Sequence, residues 1–541
     1  MAKLTEKEIR AIAENMTDDA LCGQVLCYDV YDKDDPEEVR KIVEKIKPGG
    51  LYVGQMSAEK IKMYTEMVNR VTPVPVIIAA DIESGPGDVF AGEPMLPMPM
   101  AWGACNDEKL IERAGELIAE ECRSKGIHWT FSPVVDINFN PNNPIVNIRA
   151  ISDSPRTVAR IGRAFVRGLK KDGLMATTCK HFPGDGVDDR NQHFCTTVNS
   201  LTKEEWDSSY GAVYRAMIEE GTDSIMVAHI ALPAYQAEND AVFGPPPAVL
   251  SEEIMTGLLR GRLHFGGCIV SDAMSMIGSA SRVPIEDLAC TFLRCGGDMV
   301  LFPEPTDHAQ IKESLLQGRL DRSRLVDAVV HVLKMKNSVH LFEEAPKIGA
   351  ENSRGEELRK ICAQIAERSI KIVRDTQKIL PLHLKKGAKI LLLNEYSYYK
   401  PKTECDEFIL LEEELKKRGF ITRSVDGAKH SEIKDILPEY DCVLVNFKFS
   451  SRDYHGGSLR IGWDHIMLFW RAYLLQHPCV VFTSFGDPYK LYEFPYLKTY
   501  VNAFSFTPDT VRAAVRVILG EIPCTAKNPV GLSGFFERET D

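Results

Sequence analysis

The first 340 residues alternate between two kinds of segment. Short, nearly all-apolar runs recur at 24–30 (QVLCYDV), 50–54 (GLYVG), 74–82 (VPVIIAADI), 129–137 (WTFSPVVDI), 175–182 (MATTCKHF), 224–230 (SIMVAHI), 267–274 (GCIVSDAM) and 298–302 (DMVLF). Amphipathic stretches such as PEEVRKIVEKI and RTVARIGRAFVRGLKKDG lie between most of them. A strand covered on both faces reads as a continuous apolar run, and a helix between two such runs makes them parallel. Eight such units predict a (β/α)8 barrel of the TIM type. The segment 83–128 is longer than one crossover helix needs, so it must also hold loops.

The pattern breaks near residue 345, where a charged stretch carries Pro346 and Gly349 before a helical run. It then restarts with AKILLLNEY (388–396), DCVLVNF (441–447), CVVFTSF (479–485) and TYVNAFS (499–505), with DEFILLEEELKKRG and DTVRAAVRVILG as helices. The expected organisation is a catalytic barrel over 1–345 and a smaller α/β/α sandwich with a parallel sheet over 346–541. The second part contains no GxGxxG or GxxxxGK[ST] segment, so a nucleotide site there has no support.

Charge narrows the partners. Lys plus Arg number 65 and Asp plus Glu 77, a net charge of −12. An acidic chain lacks the footprint of a nucleic-acid binder but accommodates a small neutral ligand. The 14 cysteines are scattered from Cys22 to Cys524 with no CxxC pair and no zinc-type spacing. They read as small buried hydrophobes in a reducing compartment, and neither a metal nor a cofactor is expected. The N-terminal stretch is charged and helical in pattern, with no apolar signal core. No apolar run approaches the ~18 residues of a membrane span. The expectation is a cytoplasmic monomer or homodimer with no membrane or nucleic-acid partner.

In a (β/α)8 barrel, chemistry gathers where the strands end at their C-terminal side. Asp81, Asp136, Lys180 with His181, His229 and Asp272 stand at the ends of the third to seventh runs. A single Asp after a strand is commonly a turn residue or a helix cap. Ionisable groups from five strands on one rim instead point to a site. The densest segment runs from Lys180 through Gly184, Asp185, Gly186, Asp188, Asp189 and Asn191 to His193. Its glycines permit sharp turns, and its polarity suits a loop over the barrel mouth. Lys180 as a Schiff-base lysine would want an apolar pocket, which His181 and the acidic loop argue against.

These residues carry a resemblance. KHFPGDG (180–186), followed seven residues later by His193, resembles the signature of glycoside hydrolase family 3, closest to its β-N-acetylglucosaminidase branch with the pattern KH[FI]PG-H-G-x4-D-[ST]-H. VSDAMSM (270–276) is similar to the nucleophile segment, and DIESG (81–85) to the D-x-E-G-G sugar-binding turn. SPVVDIN (132–138), NIRAISDSP (147–155), MVAHI (226–230) and PAVLSEEI…LLRGRL (247–263) follow in family order. AERSIKIVRDTQKILPL (366–382) and GEIPCTAKNPVGL (520–532) resemble parts of the family's C-terminal sandwich. The resemblance implies that Asp272 is the nucleophile, that His193 is the acid/base on a mobile loop, and that Asp81, Arg149, Lys180 and His181 hold sugar hydroxyls. Asp136 and His229 are further candidates for that polar wall.

Two positions depart from the pattern. The dyad partner of the acid/base is Asn191 rather than Asp, and Asp185 replaces a His. An Asp partner fixes the imidazole tautomer and stabilises the imidazolium, whereas Asn191 supplies only the first, unless Asp185, Asp188 or Asp189 substitutes. The expected activity is a retaining exo-acting β-N-acetylhexosaminidase on a small glycoside, using a glycosyl-aspartate intermediate. Three alternatives stand beside it. The first is a β-N-acetylglucosaminide phosphorylase, because a His acid/base repels phosphate less than a carboxylate. The second is a β-glucosidase of the same family, whose acid/base often comes from the second domain, with GGS (456–458) as a segment that could reach the mouth. The third is a sugar-binding homologue impaired by Asn191.

Overall fold

The computed structural model describes residues 3–237, 239–343, 351–396, 406–451 and 459–541, apart from the side chains of 351–353, 406, 463 and 464. The GGS segment lies outside the described residues. Each of the eight apolar runs holds a strand: β1 Leu26–Val30, β2 Gly50–Val53, β3 Ile77–Ala80, β4 Trp129–Thr130, β5 Ala176–Phe182, β6 Ser224–Val227, β7 Cys268–Ser271 and β8 Val300–Leu301. All pair in parallel in the order β8-β1-β2-β3-β4-β5-β6-β7, and a parallel bridge between Val270 and Met299 joins the two ends of the sheet. The eightfold alternation therefore becomes a barrel. Its interior is a packed core fed by alternate residues, including Ile77 and Ala79, Cys268 and Val270, and Met299 and Leu301. Val332 and Met335 of the helix Arg322–Ser338 pack into the same cluster.

The chain divides into two compact units. The first comprises Met1–Met95, Glu108–Asp136 and Gly162–Leu358, and the second Leu96–Asp107, Ile137–Ile161 and Arg359–Asp541. Two segments from between barrel strands thus belong to the second unit. One holds the helix Pro99–Cys105, whose Met100, Ala101 and Ala104 join the core of that unit. The extra length of 83–128 is spent there.

The second unit is built on a six-stranded sheet of β9 Lys371–Asp375, β10 Lys389–Tyr396, β11 Ile421–Asp426, β12 Cys442–Lys448, β13 Val480–Ser484 and β14 Thr499–Asn502, in the order β9-β14-β13-β12-β10-β11. The sheet is mixed, not wholly parallel, because β9 runs antiparallel to β14. β9 and β11 escape a hydrophobicity reading because they are edge strands: no residue of either is fully buried. The central strands sort alternate residues onto two faces. Leu391, Leu393, Val443 and Val445 line one core, while Ile390, Leu392 and Leu444 line the other. The helices Asp406–Lys417 and Pro508–Ile518 cover the latter face, completing an α/β/α sandwich. No helix among the described residues is long and apolar enough to cross a membrane.

Candidate active site

Residues in the last part of β5 and after β3, β4, β6 and β7 assemble at the C-terminal end of the barrel. β5 is entirely buried, and Ala176 lies in the barrel core. The register of β5 against β6 shifts between Cys179 and Phe182, around Lys180 and His181. Such irregularities re-aim side chains at barrel rims. Lys180 Nζ lies 2.8 Å from Asp81 Oδ1 and 2.7 Å from Glu83 Oε1. Tyr52, on β2, donates its hydroxyl to Asp81 Oδ2 at 3.2 Å. One buried ammonium held by two carboxylates gives a rigid polar edge suited to neutral hydroxyls.

His181 is set by Asp136. The Asp136 carboxylate is wholly buried and accepts from the His181 amide at 3.1 Å and the Asp185 amide at 2.8 Å, while its Oδ2 lies 2.6 Å from His181 Nδ1. This arrangement commits Nδ1 to Asp136 and turns Nε2 away from it, the usual way in which an acidic partner orients an imidazole. Asp136 thus acts on the site through His181.

Asp272 follows β7. Its amide donates to Val227 O at 2.8 Å, and its Oδ1 accepts from the Ala273 amide at 2.8 Å. Burial pushes its carboxyl pKa up, but the His181 and His229 imidazoles, the Ala273 amide and the Lys180 ammonium outweigh that, and the net shift is below the ordinary value of 3.8. Asp272 is therefore a carboxylate throughout the neutral range. His229 is 0 % exposed, with Nε2 3.0 Å from Ala273 O. Burial lowers its pKa against the pull of Asp272, which favours the neutral ring. It stands behind Asp272 and supports the segment that carries it.

The loop after β5 turns at Gly184, whose φ is +122°. A Cβ there would lie 2.1 Å from Tyr210 Cδ1, so both the conformation and the space call for glycine. Further along, Asn191 Oδ1 accepts from the His193 amide at 2.9 Å and lies 2.7 Å from His193 Nδ1. The carboxamide oxygen requires a proton on Nδ1, leaving Nε2 as the exchanging nitrogen. The loop is docked onto the segment after Asp272: Ile277 N donates to His193 O at 3.2 Å and Thr196 Oγ1 to Gly278 O at 2.7 Å. Asp188 is engaged by Arg190 Nη2 at 2.6 Å and the Val198 amide at 2.8 Å. Asp185 accepts from the Gly186 amide at 2.6 Å and from Gln192 Nε2 at 3.2 Å.

The first unit thus brings together Asp81, Asp136, Lys180, His181, His229 and Asp272, with Asn191 and His193 on the loop. Arg149 falls in the second unit, on the turn Asn147–Arg149. Glu83, Tyr52 and Gln192 are additions that a reading of strand ends passes over. Glu83 sits inside the DIESG turn, while nothing local distinguishes Tyr52 or Gln192. Among the described residues, no group of three or more His, Cys, Asp and Glu could hold a metal ion.

Comparison with known proteins places this arrangement. Residues 17–335 match the profile described as "Glycosyl hydrolase family 3 N terminal domain". The chain is 31% identical over 546 residues to a beta-N-acetylglucosaminidase/beta-glucosidase of Cellulomonas fimi, covering 96% of this chain and 95% of that one. A beta-hexosaminidase of Methylobacillus flagellatus is 30% identical over 282 residues, covering 50% of this chain and 78% of that one. Among solved structures, the beta-glucoside phosphorylase BglX bound to 2FGlc superposes with a TM-score of 0.88 at 30% identity, over 98% of this chain and 97% of that one. A family 3 beta-N-acetylglucosaminidase of Paenibacillus sp. FPU-7 shares the fold with a TM-score of 0.82 at 23% identity, over 96% of this chain and 99% of that one. With a matched profile over the barrel, a relative alike along the whole chain and a carboxylate-bearing barrel mouth, the protein belongs to glycosyl hydrolase family 3.

Proposed function

We propose that the protein is a retaining exo-β-glycosidase that removes terminal β-linked N-acetylglucosamine from a small glycoside. Asp272 attacks the anomeric carbon and forms a glycosyl ester. His193 protonates the departing oxygen from Nε2 and then takes a proton from the water that resolves the ester. Lys180, Asp81, Glu83 and His181 hold the sugar hydroxyls, and Asp136 positions His181. The observation that carries the reading is the Asp272 carboxylate, kept ionised at the barrel mouth beside His181 and Lys180. An ionised carboxylate there both attacks carbon and stabilises the cationic ring of the transition state. The beta-N-acetylglucosaminidase/beta-glucosidase of Cellulomonas fimi supports N-acetylglucosamine or glucose as the sugar, and the beta-hexosaminidase of Methylobacillus flagellatus supports an N-acetylhexosamine. The described cysteines are free thiols, most of them buried, which fits a reducing, cytoplasmic setting.

A second reading, phosphorolysis of the same ester, is favoured by the contact between His193 and the neutral Asn191. A carboxylate in that place would repel an incoming phosphate; a carboxamide does not. The 30%-identical beta-glucoside phosphorylase supports it. A panel of aryl β-glycosides, assayed with and without phosphate, separates the readings. Free N-acetylglucosamine from the aryl N-acetylglucosaminide, unaffected by phosphate, is the expected result, and a sugar 1-phosphate transfers the assignment to phosphorolysis. Asp272→Ala should lower turnover of the preferred substrate at least about 10³-fold in a folded protein, and near-normal turnover would refute the nucleophile.

A further inference from the structure

We infer that Gln192 and Asp185 form a latch that seats the acid/base loop, which makes Gln192 a positioning residue for proton transfer at His193. The inference rests on the reading of His193 as acid/base. Gln192 directly precedes His193 and is 1 % exposed. Both ends of its side chain are used: Nε2 donates to Asp185 Oδ2 at 3.2 Å, and Oε1 accepts from the His229 amide at 3.3 Å. It therefore bridges the loop after β5 to the end of β6.

The bridge belongs to a longer chain of contacts. The Asp185 amide donates to Asp136 Oδ1, the carboxylate that also holds His181. One run of hydrogen bonds thus links His181, on the proposed sugar wall, to the residue beside the proposed proton donor. The backbone fits as closely: a Cβ on Gly278 would lie 2.6 Å from Gln192 O and 2.7 Å from His229 Cβ. The segment 183–195 contains no strand or helix, and His193 is held locally by Asn191 Oδ1 on its amide and by Ile277 N on its carbonyl. The buried side-chain contacts of Gln192 and the docking of its backbone on Gly278 anchor that part of the loop to the residues after β5, β6 and β7. Both latch positions differ from the pattern that the sequence resembles, which carries His at 185 and Ser or Thr at 192. The two replacements form a complementary donor–acceptor pair.

Reversing the donor and acceptor tests this. In Gln192→Glu, two carboxylates meet and the latch opens. In Asp185→Asn, the oxygen that keeps the Gly186 amide leaves the new NH2 facing Gln192 Nε2, donor against donor, because the two contacts use different oxygens of Asp185. The double variant restores the set, because the introduced carboxamide at position 185 donates to the introduced carboxylate at position 192, whose other oxygen keeps the His229 amide. The readout is the ratio of kcat/KM for a substrate with a poor leaving group to that for an activated aryl glycoside, with folding checked by thermal melting. A mis-seated proton donor should lower this ratio by about 100-fold in Gln192→Glu, and the double variant should recover at least about tenfold of it. Gln192→Leu, which removes the contacts without adding charge, should resemble Gln192→Glu. His193→Ala is the reference. If its loss is equal on both substrates, the acid/base reading itself fails. If His193→Ala discriminates but Gln192→Glu and Gln192→Leu do not, or the double variant shows no recovery, the latch alone is overturned.

Discussion

In the proposed mechanism, Asp272 and His193 divide the pH response between them. The Asp272 carboxyl lies below 3.8, because the imidazoles, the amide and the Lys180 ammonium around it outweigh its burial. It is deprotonated across pH 5 to 8, so changes of rate in that window are not its own. Asn191 sharpens the point. Its carboxamide orients His193 but brings no charge, whereas an aspartate would favour the imidazolium and keep the acid form to higher pH. Asn191→Asp should therefore shift the alkaline limb of the kcat profile upward by about one unit. A pH-rate profile of both proteins checks this, and an unmoved limb would mean that another group donates the proton.

Elements give these residues their places. The strands of the barrel are short, with β4 and β8 of two residues each, and the site is built mainly by the loops at their C-terminal ends. The loop after β5 depends on Gly184, which combines a left-handed φ with a Tyr210 ring where a Cβ would stand. Gly184→Ala adds strain and overlap together, and should cost about 2 kcal/mol or more of stability. It should also lower kcat on every substrate, since His181 and Asp185 flank the turn. Denaturant melts and steady-state kinetics measure both effects. A variant with unchanged stability would show that the loop has freedom that this packing denies it.

At the scale of the molecule, the barrel strands and the compact units do not follow the same cut. Segments 96–107 and 137–161 lie between barrel strands in sequence, yet Met98, Met100 and Ile148 pack in the core that contains Leu391, Val443 and Phe447. A fragment of residues 1–345 would leave these apolar side chains without their partners, and such surface drives aggregation. The fragment should fail to give a monodisperse, active protein, and co-expression with 346–541 should restore activity. Size-exclusion chromatography with an aryl glycoside assay tests this. A stable, fully active 1–345 fragment would refute it.

Sequence alone determined the barrel, because a strand buried on both faces must be apolar throughout and eight such runs leave little else to build. It also pointed to Asp81, Asp136, Lys180, His181, His229 and Asp272, since the ends of those runs are local features, and the KHFPGDG and VSDAMSM segments carried the family. Tertiary structure decided the features that depend on contact. The edge strands β9 and β11 carry too little buried surface to stand out as apolar runs. Their pairing comes from the backbone of their neighbours, and with it the mixed character of the second sheet. The pairing of Glu83 with Lys180, the role of Asp136 behind His181 and the bridge made by Gln192 join residues distant in sequence or ordinary in type. A hydrogen bond between side chains leaves no periodic trace along the chain, so only the folded arrangement reveals it.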